Sequence, residues 1–214
     1  MLSTLKKLYR KYNINHLQKH LFEKEFSYMK TCRNILDIGC GEGEFLTLSK
    51  DKIVGLDNNI DTLRVCRKKG LKVIRGNVTK IPFPDKSFDG VHCSHVIEHL
   101  YPEDAYKMLI ESGRILKKNG IFVLSTPLFW KGFFEDFTHV KPYYPKAILR
   151  YLVNSGAQKT LRNYPYKFTK IALYYRFRPI PIPTKFGTLL GGLLYRYKAH
   201  TLSKDAYTLV LKKL

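Results

Sequence analysis

From Arg33 onward, short apolar runs alternate with stretches of helical periodicity. Asn34–Gly39 reads as a buried strand ending on glycine, followed by strands over Lys52–Asp57, Leu71–Asn77, Phe88–Ser94 and Ile121–Thr126. Between them the spacing predicts a short helix over Glu44–Lys50 and another near Ile60–Lys69. A longer one covers Pro102–Lys118, with Asn119 and Gly120 as its C-cap. Strands and helices in alternation imply βαβ units, and right-handed crossovers then lay the strands parallel in one sheet.

The pattern is looser outside this block. Leu2, Leu5, Leu8, Tyr9 and Tyr12 recur at helical spacing among lysines and arginines, so residues 1–33 read as basic amphipathic helices. Leu128–Tyr144 is crowded with aromatics and reads as a lid or pocket wall. Pro145 opens a helix that Gly156 ends. Ala157–Tyr164 is read as a sixth strand and Ala206–Lys213 as a seventh. The expected organisation is a core over residues 34–165, an insertion over 166–205 and a final core strand over 206–214.

Composition changes this picture little. At 214 residues the chain suits one domain, and 44% hydrophobic content is ordinary for a soluble protein. Apolar runs such as Ile121–Leu124 fall far short of the roughly 18 residues of a membrane span. The first thirty residues are expected to contain no signal peptide. Cys32, Cys40, Cys66 and Cys93 lack CxxC spacing and are expected as reduced thiols in a cytoplasmic protein.

Charge is informative once located. Of the net +21, residues 1–34 carry +6, residues 35–140 only +1, and residues 141–214 carry +14, with Asp205 as the sole acid of that last stretch. A near-neutral core with basic flanks suggests an anionic partner. Three readings stay open. Leu189, Leu190, Leu193 and Leu194 could dip into an anionic membrane with Lys185, Arg196 and Lys198 at the headgroups. The flanks could bind nucleic acid, though no nucleic-acid module is visible. Or the charge is a solvated face, with Leu189–Tyr197 as a homodimer contact.

The chemistry is carried by Asp37-Ile-Gly39-Cys40-Gly41-Glu-Gly43. A glycine-rich turn after a strand allows a sharp reversal and lets a ligand lie against bare backbone at the carboxyl edge of the sheet. About twenty residues later Asp57 closes the second strand, where a carboxylate can accept both hydroxyls of a ribose and disfavours a 2′-phosphate. Gly76-Asn77-Val78 ends the third strand.

These segments, with LDIGCGEGEF, VGLDNN, IRGNVTKIPFPDKSFDGVHCSHVIEHL and RILKKNGIFVLSTP in order, resemble the successive motifs of class I S-adenosylmethionine-dependent methyltransferases, in particular a small-molecule branch that includes quinone-biosynthesis enzymes. The resemblance covers roughly Asn34–Pro127, with a looser echo through THVKPYYPKAILRYLVNSGA. It implies an α/β, Rossmann-like, doubly wound, mostly parallel seven-stranded sheet with an antiparallel last strand, and S-adenosylmethionine as cofactor. Asp37 would then face the amino group of the methionine part, and Gly39, Cys40 and Gly41 would pack against it through backbone. Asp57 would hold the ribose, Asn58 would line the adenine side, and Asn77 and Val78 would meet the adenine edge. Ser94 and His95 would close the site near the sulfonium. Asn77 stands where family members usually carry Asp; its amide oxygen can still accept from the adenine amino group.

Methyl transfer from a sulfonium asks the protein mainly to position the acceptor and exclude water, with a base where a hydroxyl or acidic carbon must lose a proton. His99 and His139 are the candidate catalytic histidines, with Glu98 as a partner for His99 or His95. His99 could equally be a packed residue, and His139 could cap its loop. No metal triad is read from these spacings. The expected function is methyl transfer to a small-molecule, glycan or lipid-linked acceptor. A nucleic-acid methyltransferase and a non-enzymatic S-adenosylmethionine-binding scaffold are the alternatives.

Overall fold

The computed structural model describes residues 18–130, 132–153, 164–177 and 204–214. Within them, residues 18–27 form helix α1. Five strands follow with two long helices among them: β1 (Ile35–Ile38), β2 (Ile53–Asp57), α2 (Ile60–Lys68), β3 (Val73–Arg75), β4 (Phe88–Ser94), α3 (Pro102–Ile115) and β5 (Leu116–Pro127). Helix α4 (Pro145–Leu152) and strands β6 (Phe168–Phe177) and β7 (Lys204–Lys213) complete the order. The strands form one seven-stranded sheet in the order β3-β2-β1-β4-β5-β7-β6. β1 pairs in parallel with both β2 and β4, β4 with β5 and β2 with β3, while β7 runs antiparallel between β5 and β6. This is the Rossmann-like sheet with an antiparallel last strand that the motif order implies.

Alternation within each strand assigns the two faces. Leu36, Ile38, Val91, Cys93, Phe122 and Leu124 join the core under α3 and α4. Ile35, Ile53, Val123 and Val210 join the opposite core with Phe22 of α1, Phe45, and Leu63 and Cys66 of α2. Both faces are covered, so the central strands read as continuous apolar runs. α2 is capped by Asn59, whose side chain accepts from Asp61 N.

The structure redraws several sequence boundaries. Glu44–Lys50 contributes only a 3-10 turn, Phe45–Leu48. α3 stops at Ile115 and the chain runs straight into β5, so Asn119 does not cap a helix. Its positive φ of 65° instead serves an irregularity between Leu116 and Ile121, where the β4–β5 register shifts. Among the described residues a strand lies at Phe168–Phe177, in what the sequence reads as the start of the insertion, and it hydrogen-bonds β7. Lys170 and Arg176, with Lys167 just before them, give this edge strand a basic composition that reads as part of an insertion until its partner strand is known.

Residues 1–17, 154–163 and 178–203 lie outside the described residues, and with them the amino-terminal apolar repeat, most of the proposed strand before Tyr164 and the Leu189–Tyr197 segment. Among the described residues, no helix is long and apolar enough to cross a membrane. All four cysteines are free and buried.

Candidate active site

In an open α/β sheet, a ligand crevice forms outside the carboxyl ends of the strands where the order reverses, here between β1 and β4. The glycine turn leaves β1 at this point. Gly39, Gly41 and Gly43 have φ of +69°, +50° and +82°, a region costly for any residue with a Cβ. Their surroundings differ. A Cβ on Gly39 would lie 2.3 Å from Val96 Cγ2, and one on Gly43 would lie 2.5 Å from Leu71 Cδ1. A Cβ on Gly41 would meet nothing within 4 Å. Gly39 and Gly43 are thus glycines for close packing, and Gly41 presents bare backbone to open space.

Asp57 ends β2 beside this bend. Its Oδ2 accepts from Gly41 N at 2.9 Å and its Oδ1 from Asn59 N at 2.9 Å. Each oxygen keeps a lone pair for a ligand hydroxyl. The next site residue, Asn58, is exposed. Cys40 is buried, and burial pushes its thiol above the ordinary cysteine range. Asn77 follows β3, and its Oδ1 already accepts from Thr79 N and Thr79 Oγ1, each at 2.9 Å, which leaves its amide NH2 as the group open to a ligand. Val78 packs partly buried against the core. At the end of β4, the buried Ser94 Oγ has no hydrogen-bond partner. An orphaned buried hydroxyl beside the glycine bend fits a polar ligand there.

Asp37, at the end of β1, is 3% exposed, and its Oδ1 lies 2.6 Å from His92 Nδ1. His92 Nε2 in turn lies 3.0 Å from Glu25 Oε2 of α1, and the ring stacks on Phe45 with centroids 3.6 Å apart. Glu25 Oε1 also accepts from Thr208 Oγ1 of β7 at 2.8 Å. Burial disfavours charge on His92, yet the Asp37 and Glu25 carboxylates outweigh it and lift the imidazole to about 9. Burial pushes Asp37 up, whereas for Glu25 the His92 contact overcomes burial and holds it below the usual carboxylate range. This trio was not assembled from sequence. A histidine at a buried position of the strand FDGVHCS was its only signal.

Beyond β4 the chain enters a second polar region. His95 has a positive φ of 57°. Its Nε2 accepts from Arg176 Nη2 of β6 at 2.7 Å, and its Nδ1 stands 3.2 Å from Glu98 Oε1 without hydrogen-bond alignment. Arg176 therefore belongs to the site's surroundings, although its sequence position gave no such indication. Glu98 is fully buried, with Oε2 accepting from Thr126 Oγ1 of β5 at 3.0 Å. Burial raises its carboxyl, but His95 and the hydrogen bonds bring it net below the ordinary range.

His99 and His139 meet with ring centroids 4.8 Å apart, beside Glu98. His139 Nδ1 donates to Phe133 O at 2.6 Å, and the Phe133 ring packs on it at 4.5 Å. His99 Nδ1 lies 3.2 Å from Thr138 O and 2.9 Å from Thr138 Oγ1. Of the aromatic wall, Phe133 is buried, whereas Phe129 and Phe134 are exposed and Phe137 is 100% exposed.

Crevice, glycine turn and terminal carboxylate define a nucleotide-cofactor α/β domain. Residues 36–124 match the family model described as a methyltransferase domain. A probable S-adenosylmethionine-dependent methyltransferase of Mycolicibacterium smegmatis is 39% identical over 100 residues, covering 44% of this chain and 38% of that protein. A fatty-acid O-methyltransferase of the same organism is 36% identical over 101 residues, covering 42% of this chain and 36% of that protein. The chain thus spans less than half the length of either relative. A crystal structure of an S-adenosylmethionine-dependent methyltransferase from Archaeoglobus fulgidus superposes with a TM-score of 0.65 at 26% identity, over 92% of this chain and 94% of that one. In sequence over residues 36–124 and in fold over most of its length, the chain is similar to S-adenosylmethionine-dependent methyltransferases.

Proposed function

We propose that the chain binds S-adenosylmethionine in the crevice between β1 and β4 and directs its methyl group to a small-molecule, glycan or lipid-linked acceptor. The observation that carries this is the bare Gly41 backbone beside the Asp57 carboxylate, with the orphaned Ser94 hydroxyl at the neighbouring strand end. When bound, the cofactor supplies an electrophilic methyl whose transfer discharges the sulfonium.

The protein's part is binding, orientation and exclusion of water. Asp57 would accept the ribose hydroxyls through its two remaining lone pairs, and Ser94 Oγ would gain the partner it lacks. Asn58, Asn77 and Val78 would line the adenine side, Asn77 through its NH2. Asp37 acts through its fixed place behind the glycine turn. His95, with both ring nitrogens close to other side chains, orients Glu98 and Arg176 rather than shuttling a proton. His99 and His139 stand on the acceptor side, where either could take an acceptor proton. The exposed Phe129, Phe134 and Phe137 favour an acceptor with an apolar body; the likeness to a fatty-acid O-methyltransferase supports that choice.

Calorimetric titration with S-adenosylmethionine tests the reading. Asp57→Ala should weaken binding by at least about tenfold, the ~1.4 kcal/mol scale of a lost charge-assisted hydrogen bond. Unchanged affinity, or no binding by the unaltered chain, would overturn it.

A further inference from the structure

We propose that Glu98, His99 and His139 form a divalent-cation site at the acceptor end of the crevice, selective for first-row transition ions over magnesium and calcium. One side-chain ligand atom from each of these residues lies within 4.8 Å of the others. Metal bonds of about 2.0–2.2 Å would draw such atoms to roughly 3–4 Å, a closure of about an ångström within reach of small side-chain rotations.

The hydrogen bonds fix which atoms are available. His139 Nδ1 donates to Phe133 O, so the proton sits on Nδ1 and Nε2 is bare. For His99 the same follows by elimination. Thr138 Oγ1 donates its only proton to Asp136 Oδ1 at 2.6 Å. Towards His99 Nδ1 it is therefore an acceptor, as is Thr138 O. With acceptors alone facing it, Nδ1 carries the proton and Nε2 is bare. Two histidines each held by a backbone carbonyl, with the remote nitrogen free, are the orientation that metal-bound imidazoles adopt. Asp136, whose Oδ2 lies 3.8 Å from His139 Nε2, is too far to compete by a hydrogen bond.

The third member supplies charge. Glu98 Oε2 is engaged by Thr126, and the buried Oε1 has His95 Nδ1 3.2 Å away, without hydrogen-bond alignment. A carboxylate oxygen with one such neighbour keeps a lone pair for a cation. Two imidazoles and one carboxylate suit zinc, manganese, iron or cobalt, whereas magnesium and calcium prefer all-oxygen shells. Three protein donors leave positions through which an acceptor oxygen could be held and its proton made easier to lose. That catalytic use rests on the methyltransferase reading; the binding of the cation does not.

Cobalt(II) is the probe, read by its visible absorption and by calorimetry on the full chain after chelator treatment. The unaltered protein should bind close to one Co2+ per chain. His139→Ala and His99→Ala should each weaken this by at least about tenfold, and Glu98→Gln should do so while keeping the side chain's shape. S-adenosylmethionine titration of the same samples reports whether each variant still folds. Co2+ uptake without cofactor binding would sustain the metal site and sink the methyltransferase reading. Cofactor binding with no Co2+ uptake, or uptake undiminished in a His99→Ala/His139→Ala double variant, would overturn the metal site alone.

Discussion

The molecule contains two carboxylate–histidine groupings that look alike in composition and differ in satisfaction. In the Glu25–His92–Asp37 trio both imidazole nitrogens meet carboxylates, and all three side chains are buried. In the Glu98–His99–His139 group each histidine spends one nitrogen on a carbonyl and leaves the other bare. A saturated buried network holds structure, because every change leaves a partner stranded. An open group has capacity left for a ligand. Residue type alone does not separate the two roles; the second nitrogen does.

The largest effect should come from breaking the saturated trio. His92→Ala would leave two buried carboxylates without their shared partner, and a loss of about 3–5 kcal/mol is expected from chemical denaturation. A loss below about 1 kcal/mol would show that water reaches the site and that the trio is not saturated. Next in size is the glycine turn in front of it. Gly39→Ala would place a methyl 2.3 Å from Val96 Cγ2 at a left-handed φ, and should cost about 2–3 kcal/mol. Gly41→Ala, with open space around it, should cost only the backbone strain of about 1 kcal/mol and act chiefly on cofactor affinity.

The pH dependence sharpens the comparison further. His92 is raised from 6.5 to about 9, so its stabilisation is fully present below pH 6.5 and is lost as pH rises through 9. Asp37, also raised, has the same sign at lower pH; Glu25, lowered, has the opposite sign and loses stabilisation as pH falls. Denaturation midpoints should therefore decline between pH 6.5 and 9, and this decline should vanish in His92→Gln. The smallest effect belongs to the open group. His139→Ala, at a loop position with one hydrogen bond to lose, should change stability by about 1 kcal/mol or less in the absence of metal. A loss as large as that of His92→Ala would erase the distinction between the regions.

Much of the fold was legible because parallel strands buried on both faces must be apolar throughout and must end in turns. NILDIG, KIVGLD, FDGVHCS and IFVLST carry that signal without help from distant residues. The sixth strand was not legible, since an edge strand needs only one partner and tolerates charged residues such as Lys170 and Arg176. Within the site, Asp57 Oδ2 accepts from Gly41 N. The contact of Asp37 with His92 was not legible, since it joins neighbouring strands 55 residues apart in sequence.

The sequence by itself determined the βαβ order, the position of the glycine turn and the carboxylate that closes the second strand, since each depends on neighbours a few residues apart. Only the tertiary structure decided which histidine is enclosed and which stays open. His92 meets Glu25 across 67 residues and His99 meets Thr138 across 39, and contacts over such separations are set by how sheet and helices pack, not by local pattern.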